Sequence, residues 1–145
     1  MTTLHPTDAG FAQAYSHAWT TDPEGLLQFF AVDGRYTDIA MDATYVGHHS
    51  IGRFHRHMLR FAPDSAIVFG STFAAEGRLY SEWVWSGTFS GALRLRSGQL
   101  VDAAGTHFTV PGVAVCTYDS DGLLTTHRDF WDLCTVLSQA SVRIG

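Results

Sequence analysis

The stretch Leu123-Leu124-Thr125-Thr126-His127-Arg128-Asp129-Phe130-Trp131-Asp132, entered through the turn Asp119-Ser120-Asp121-Gly122, decides how this chain is read. A hairpin turn leads into a run rich in β-branched and aromatic residues, which predicts a strand. Alternation places Thr125, His127, Asp129 and Trp131 on one face and Thr126, Arg128 and Phe130 on the other. One face therefore joins an acid and an imidazole among apolar neighbours. A carboxyl in an apolar wall has its charged form disfavoured, so its pKa rises toward the range useful for proton transfer. His127 lies about 7 Å from Asp129 along the backbone on the same face. There it can orient the acid, shuttle its proton or bind a substrate oxygen. The competing reading is a surface strand with its polar residues in water. Arg128, on the opposite face, is badly placed to pair with Asp129.

Working outward, residues 66–73, 78–90 and 107–119 have the same strand texture and are separated by turn residues. Residues 91–98 fit either a further strand or an irregular edge. Before residue 62 the periodicity is helical. Residues 8–20 predict a first helix, with Asp8 as its cap and Phe11, Tyr15, Ala18 and Trp19 on one side. Thr21-Asp22-Pro23 starts a second, carrying Leu26, Leu27 and Phe30 and broken by Asp33-Gly34. Residues 35–39 predict a short strand. Residues 48–60 predict a third helix, with Ile51, Phe54, Met58 and Leu59 inward. Helices followed by antiparallel strands make an α+β plan. The expected fold is a curved antiparallel sheet with N-terminal helices forming a cone-shaped pocket, as one domain over residues 1–145.

Composition narrows the function. Of 145 residues, 46% are hydrophobic and only 16% charged, with ten Phe, five Tyr and four Trp. That many aromatics suggest a large pocket or an apolar subunit contact besides a core. A net charge of −5 with nine Lys and Arg argues against a nucleic-acid partner. No apolar run is long enough for a bilayer, so no membrane partner is expected. No secretory pattern opens the sequence, and Cys116 and Cys134 form no CxxC or zinc pattern. A cytoplasmic location is the expectation. His48, His49, His55 and His57 contain no pair at the four-residue spacing that aims two imidazoles at one ion. No metal is expected, and these histidines read as a solvated helix face.

The phrase from Phe11 to Asp38, with Tyr15, the Thr-Asp-Pro helix start, Phe29-Phe30-Ala31 and Tyr36-Thr37-Asp38, resembles the nuclear transport factor 2-like superfamily. Tyr45-Val46-Gly47-His48-His49-Ser50-Ile51-Gly52-Arg53-Phe54 matches its usual entry into the third helix. Ser86-Gly87-Thr88-Phe89-Ser90-Gly91, Val110-Pro111-Gly112-Val113 and the run to Asp132 resemble its SnoaL-like polyketide cyclase branch. The resemblance implies a cystatin-like α+β barrel. It places Asp129 where SnoaL-like cyclases and limonene-epoxide-hydrolase-like enzymes keep a catalytic aspartate. Tyr15 falls where ketosteroid isomerases carry an oxyanion-hole tyrosine, and Asp38 where they carry the base. Two specific activities lose residues: Ala114 stands in place of the steroid isomerases' protonated aspartate, and Trp83 and Trp85 replace the epoxide hydrolases' arginine and aspartate.

On this reading Asp129, Asp38, Tyr15 and His127 are the catalytic candidates. Tyr15 would point its hydroxyl into the cone and donate to a carbonyl or enolate oxygen. Trp83 and Trp85 would form an aromatic wall, extended by Trp131, Phe108 and Met41, with Ala114 beside them. The expected function is cofactor-independent ring closure or isomerisation of a hydrophobic natural product, a polyketide foremost, by acid–base chemistry or by shape alone. Alternatives are a non-catalytic binding domain, in which the aspartates are structural and side chains fill the cone, and a dehydratase or epoxide hydrolase. A homodimer through the sheet is expected.

Overall fold

The computed structural model describes residues 4–140. Three helices open it: α1 (Phe11–Thr21), α2 (Pro23–Leu27) and α3 (Gly47–Phe61). Between and after them run β1 (Phe30–Asp38), β2 (Ala43–Val46), β3 (Ala66–Ala75), β4 (Arg78–Thr88), β5 (Leu93–Arg94), β6 (Leu100–Val101), β7 (His107–Tyr118) and β8 (Leu124–Trp131). A fourth helix, α4 (Leu133–Gln139), follows the last strand; its N-cap is Asp132, whose side chain accepts from the Cys134 amide. The class is α+β, with the helices leading and a curved sheet behind them. Among the described residues no helix is long and apolar enough to cross a membrane.

Six strands form one sheet in the order β2-β1-β8-β7-β4-β3. Neighbours are antiparallel except β1 and β8, which run parallel. The sheet is therefore mixed rather than wholly antiparallel. It is open rather than a closed barrel, because β2 and β3 are edges that do not pair with each other. Register shifts in β1, β3 and β8 bend it. The shift in β8 skips Thr125, since Thr117 faces Thr126 while Tyr118 faces Leu124. Leu124, not Thr125, therefore joins the buried face; from His127 onward the alternation is as the sequence predicts.

Local signals were partly misleading at the N-terminus. Asp8 does not cap α1; its carboxylate accepts from the His5 amide instead. Asp22 does cap α2, accepting from the Gly25 amide at 3.0 Å. That helix stops at Leu27 and the chain enters β1 at Phe30, so Asp33-Gly34 lies inside a strand, not at a helix end. Gly34 sits where β1 shifts register, and a Cβ there would meet the Ala31 and Leu124 carbonyl oxygens at 3.0 Å. Residues 43–46 form an edge strand, and residues 91–101 close into the separate hairpin β5–β6.

The helices pack on the concave face. Phe11, Tyr15, Ala18 and Trp19 of α1 are buried there, as their spacing predicts. Ser16 and Thr20, one turn apart, bind the Phe69 and Ile67 amides of β3 at 2.8 Å and 3.0 Å. The apolar core runs from α1 through Phe30, Tyr36, Ile51 and Leu79 to Phe108 and Val110. It does not fill the cone.

Candidate active site

A cavity of about 450 Å³ opens between the helices and the concave sheet face, with walls mainly of aromatic and aliphatic side chains. Asp38 and Asp129 both line it, at 7% and 8% exposure. They are register partners on the parallel pair β1 and β8, so their side chains share a face on adjacent strands. This pairing joins the two ends of the chain. Within β1, alternation puts Tyr36 on the same inward face as Asp38.

Each carboxylate is held by an indole N–H. Trp131 Nε1 donates to Asp38 Oδ1 at 2.8 Å, and the Met41 amide donates to the same oxygen at 3.2 Å. Trp83 Nε1 donates to Asp129 Oδ1 at 2.9 Å. Burial pushes Asp38 up to about 6; the Trp131, Met41 and Ala40 hydrogen bonds pull against that rise, and the neighbouring Asp129 charge adds to it. Asp38 is thus a carboxyl that can both lose and take a proton near neutrality.

Asp129 lies at the end of a buried chain. The Tyr36 hydroxyl donates to its Oδ2 at 2.6 Å, and His127 Nε2 lies 2.6 Å from its Oδ1. On the far side of the imidazole, Nδ1 lies 2.7 Å from the Tyr15 hydroxyl. Burial opposes the charged imidazole, but the carboxylate of Asp129, with Cys116, Tyr15 and the hydrogen bond to Asp129, outweighs it and raises His127 well above its ordinary value. Burial raises the Tyr15 phenol. Burial, with the charges of Asp129 and Asp38, also holds Tyr36 well above its usual range, so both tyrosines stay neutral at physiological pH, and the Tyr15 oxygen accepts from Nδ1–H when His127 is charged.

The structure separates the residues singled out in the sequence. Asp38, Asp129, Met41, Trp83, Trp85 and Trp131 border the cavity. Tyr15 and His127 do not: both are fully buried, and the Tyr15 hydroxyl ends on His127 instead of pointing into the cone. Tyr15 can therefore act only through His127. Phe108 and Ala114 are also fully buried behind the wall; Phe108 stacks on Phe89, and Ala114 pairs with Asp129 across β7 and β8. Trp83 is a hydrogen-bond donor as well as a wall. Tyr36 escaped the sequence reading, although strand alternation from Asp38 would have found it.

The histidines of α3 do not form one solvated face. His55 is fully buried, with Nε2 at 2.6 Å from the Trp19 carbonyl, and His48 reaches the Phe30 carbonyl. His49 and His57 are exposed. Among the described residues, no three His, Cys, Asp or Glu side chains are grouped to hold a metal ion.

Solved structures share this architecture. A hypothetical protein from Catenulispora acidiphila with a ketosteroid isomerase-like fold, in complex with trimethylamine, superposes with a TM-score of 0.78 at 25% identity, covering 94% of this chain and 96% of that one. A candidate SnoaL-like polyketide cyclase from Jannaschia superposes with a TM-score of 0.76 at 14% identity, covering 99% and 98%. A candidate polyketide cyclase from Xanthomonas campestris gives 0.68 at 21% identity, covering 90% and 94%. No curated protein matches the chain. The family model for the SnoaL-like domain matches residues 11–127, most of the sequence, and the chain therefore belongs to the SnoaL-like domain family.

Proposed function

We propose that the protein is a cofactor-independent cyclase or isomerase acting on a hydrophobic, partly oxygenated small molecule, a polyketide intermediate foremost. One observation carries this: two buried carboxylates stand side by side on the wall of an apolar cavity, Asp38 held by an indole and an amide and Asp129 by an indole, a phenol and an imidazole. A structural role alone would not leave both of them facing open space. Paired acids with unlike surroundings divide the work: one moves the proton and the other orients the donor beside it.

In this reading Asp38 removes a proton beside a substrate carbonyl. The Tyr36 hydroxyl, which at rest donates to Asp129 Oδ2, turns its single proton to the developing enolate oxygen. The enolate carbon closes the ring on a second carbonyl, or the double bond moves, and protonated Asp38 returns its proton. Asp129 draws on His127 and Tyr15 to hold Tyr36 in place. Trp83, Trp85 and Trp131 fix the substrate by shape and exclude water. We also propose a homodimer through the outer sheet face, where Val68, Val84, Val113 and Phe130 stand exposed; a monomer in sedimentation equilibrium would count against it.

The test is proton exchange on a simple ketone. The wild type is expected to speed deuterium incorporation next to the carbonyl of β-tetralone in D₂O, followed by NMR. Asp38→Asn and Asp129→Asn should each lower that rate by about 10²-fold or more, the usual scale of acid–base help. Unchanged exchange in Asp38→Asn would refute the mechanism.

A second reading draws on the trimethylamine complex of the Catenulispora relative. Aromatic walls with two carboxylates suit an organic ammonium ion held without turnover. Saturable binding of trimethylamine, lost in Asp38→Asn, with no catalysed exchange, would favour it.

A further inference from the structure

The charged and imidazole side chains that line the cavity separate by depth. Asp38 and Asp129 are buried, while Arg94 and His57 are exposed. The two basic groups come from different elements, Arg94 from β5 and His57 from α3, and both border the same cavity. Arg94 has little to do within the protein. Its guanidinium makes one long contact, 3.5 Å to the Gly98 carbonyl of its own hairpin. Arg96, two residues on, instead reaches Asp42 in the turn after β1 at 3.6 Å. Among the described residues Arg94 has no carboxylate partner, in a chain with 14 acids and nine Lys and Arg. Leu93 and Leu100 of the same hairpin add apolar lining beside it.

We propose that the ligand of this cavity is an amphipathic acid, with its apolar body against the aromatic wall and its carboxylate at the rim between Arg94 and His57. This rests on the reading of the cavity as a small-molecule site and names the chemical class it takes. A guanidinium offers a planar fork of donors that matches a carboxylate in two parallel hydrogen bonds. At the rim, part of the carboxylate's water shell is retained, so the attraction adds selectivity without a large desolvation cost. The apolar body then extends inward and delivers its reacting carbon to Asp38. The opposite orientation, with a cationic head on the two aspartates, is the rival.

Three probes of one shape decide between them: phenylhexanoate, phenylhexanamide and phenylhexylamine, titrated at pH 7.5 with quenching of the cavity tryptophans as readout. The acid should bind about fivefold tighter than the amide, in line with a charge-assisted contact discounted for solvent exposure. Arg94→Met should erase that preference, bringing the acid's affinity down to the amide's, and Arg94→Lys should restore part of it. Added salt should shrink it. An acid no tighter than the amide, a preference that survives Arg94→Met, tightest binding of the amine, or no saturable binding of any probe would each overturn the proposal. The ketone exchange assay fails separately: intact exchange in Asp38→Asn refutes the acid–base reading, whereas a lost rim preference refutes only this one.

Discussion

Replacing Asp38 by Asn should make the protein more stable and less active at once. Burial raises Asp38 from an ordinary value of 3.8 to about 6. Its folded-state titration thus lies above its unfolded one, and the folded form takes up a proton between about pH 4 and pH 6. Below that window the group costs nothing. As pH rises through it, stability is lost, and above about pH 6 the full penalty is present. The displacement of about two pH units corresponds to about 3 kcal/mol. Asn copies the neutral acid in shape and can still accept from Trp131 Nε1 and the Met41 amide. The variant should therefore match the wild type near pH 4 and exceed it by up to about 3 kcal/mol at pH 7.5. For a chain of this length that is about 6–10 °C in Tm. Urea unfolding of both proteins at several pH values between 4 and 8 gives the difference directly. An Asn variant equal to or less stable than the wild type at pH 7.5 would refute the reasoning. It would show that Asp38 is a stabilising structural acid instead of a group held at a cost for function.

Further expectations concern the groups behind the acids. Tyr15→Phe leaves His127 Nδ1 buried without its 2.7 Å partner and should cost about 1–3 kcal/mol in chemical unfolding. Its loss of exchange activity should be smaller than that of Asp129→Asn, because Tyr15 does not reach the cavity; an equal loss would put its hydroxyl in contact with substrate. Gly112→Ala sets a Cβ into the Trp83 ring, so the indole must leave the position from which it donates to Asp129. The variant should fold with lowered stability and show a changed pH–rate profile, whereas an unaltered profile would mean the Trp83 hydrogen bond does not matter.

The pattern of residues was sufficient for much of the fold. Helical spacing in Phe11, Tyr15, Ala18 and Trp19, and strand alternation through His127, Asp129 and Trp131, are local periodicities, and each reports which face is buried. Those two signals placed the leading helices, the long strands and an inward acid. Where the outcome depended on competition between distant segments, the sequence was mute or misleading. Asp33-Gly34 reads as a helix stop, but β1 gains more by pairing with β8, and Gly34 is what lets the two backbones approach. The bulge that turns Thr125 out and Leu124 in is likewise set by partner strands.

The same division holds at the site. Asp129 and His127 are two residues apart, so their shared face is fixed by strand geometry alone. Asp38 meets Asp129 only because β1 lies parallel to β8 in one register, and no local rule encodes the pairing of segments so far apart along the chain. Tyr15 shows the limit most clearly. Its helix face was legible from spacing, but its hydroxyl needed a partner once buried, and packing offered His127 rather than the cavity. Sequence periodicity determined which side chains go inside. The tertiary structure decided which of them meet, because hydrogen bonding among buried polar groups is a property of the assembled interior and not of any one strand or helix.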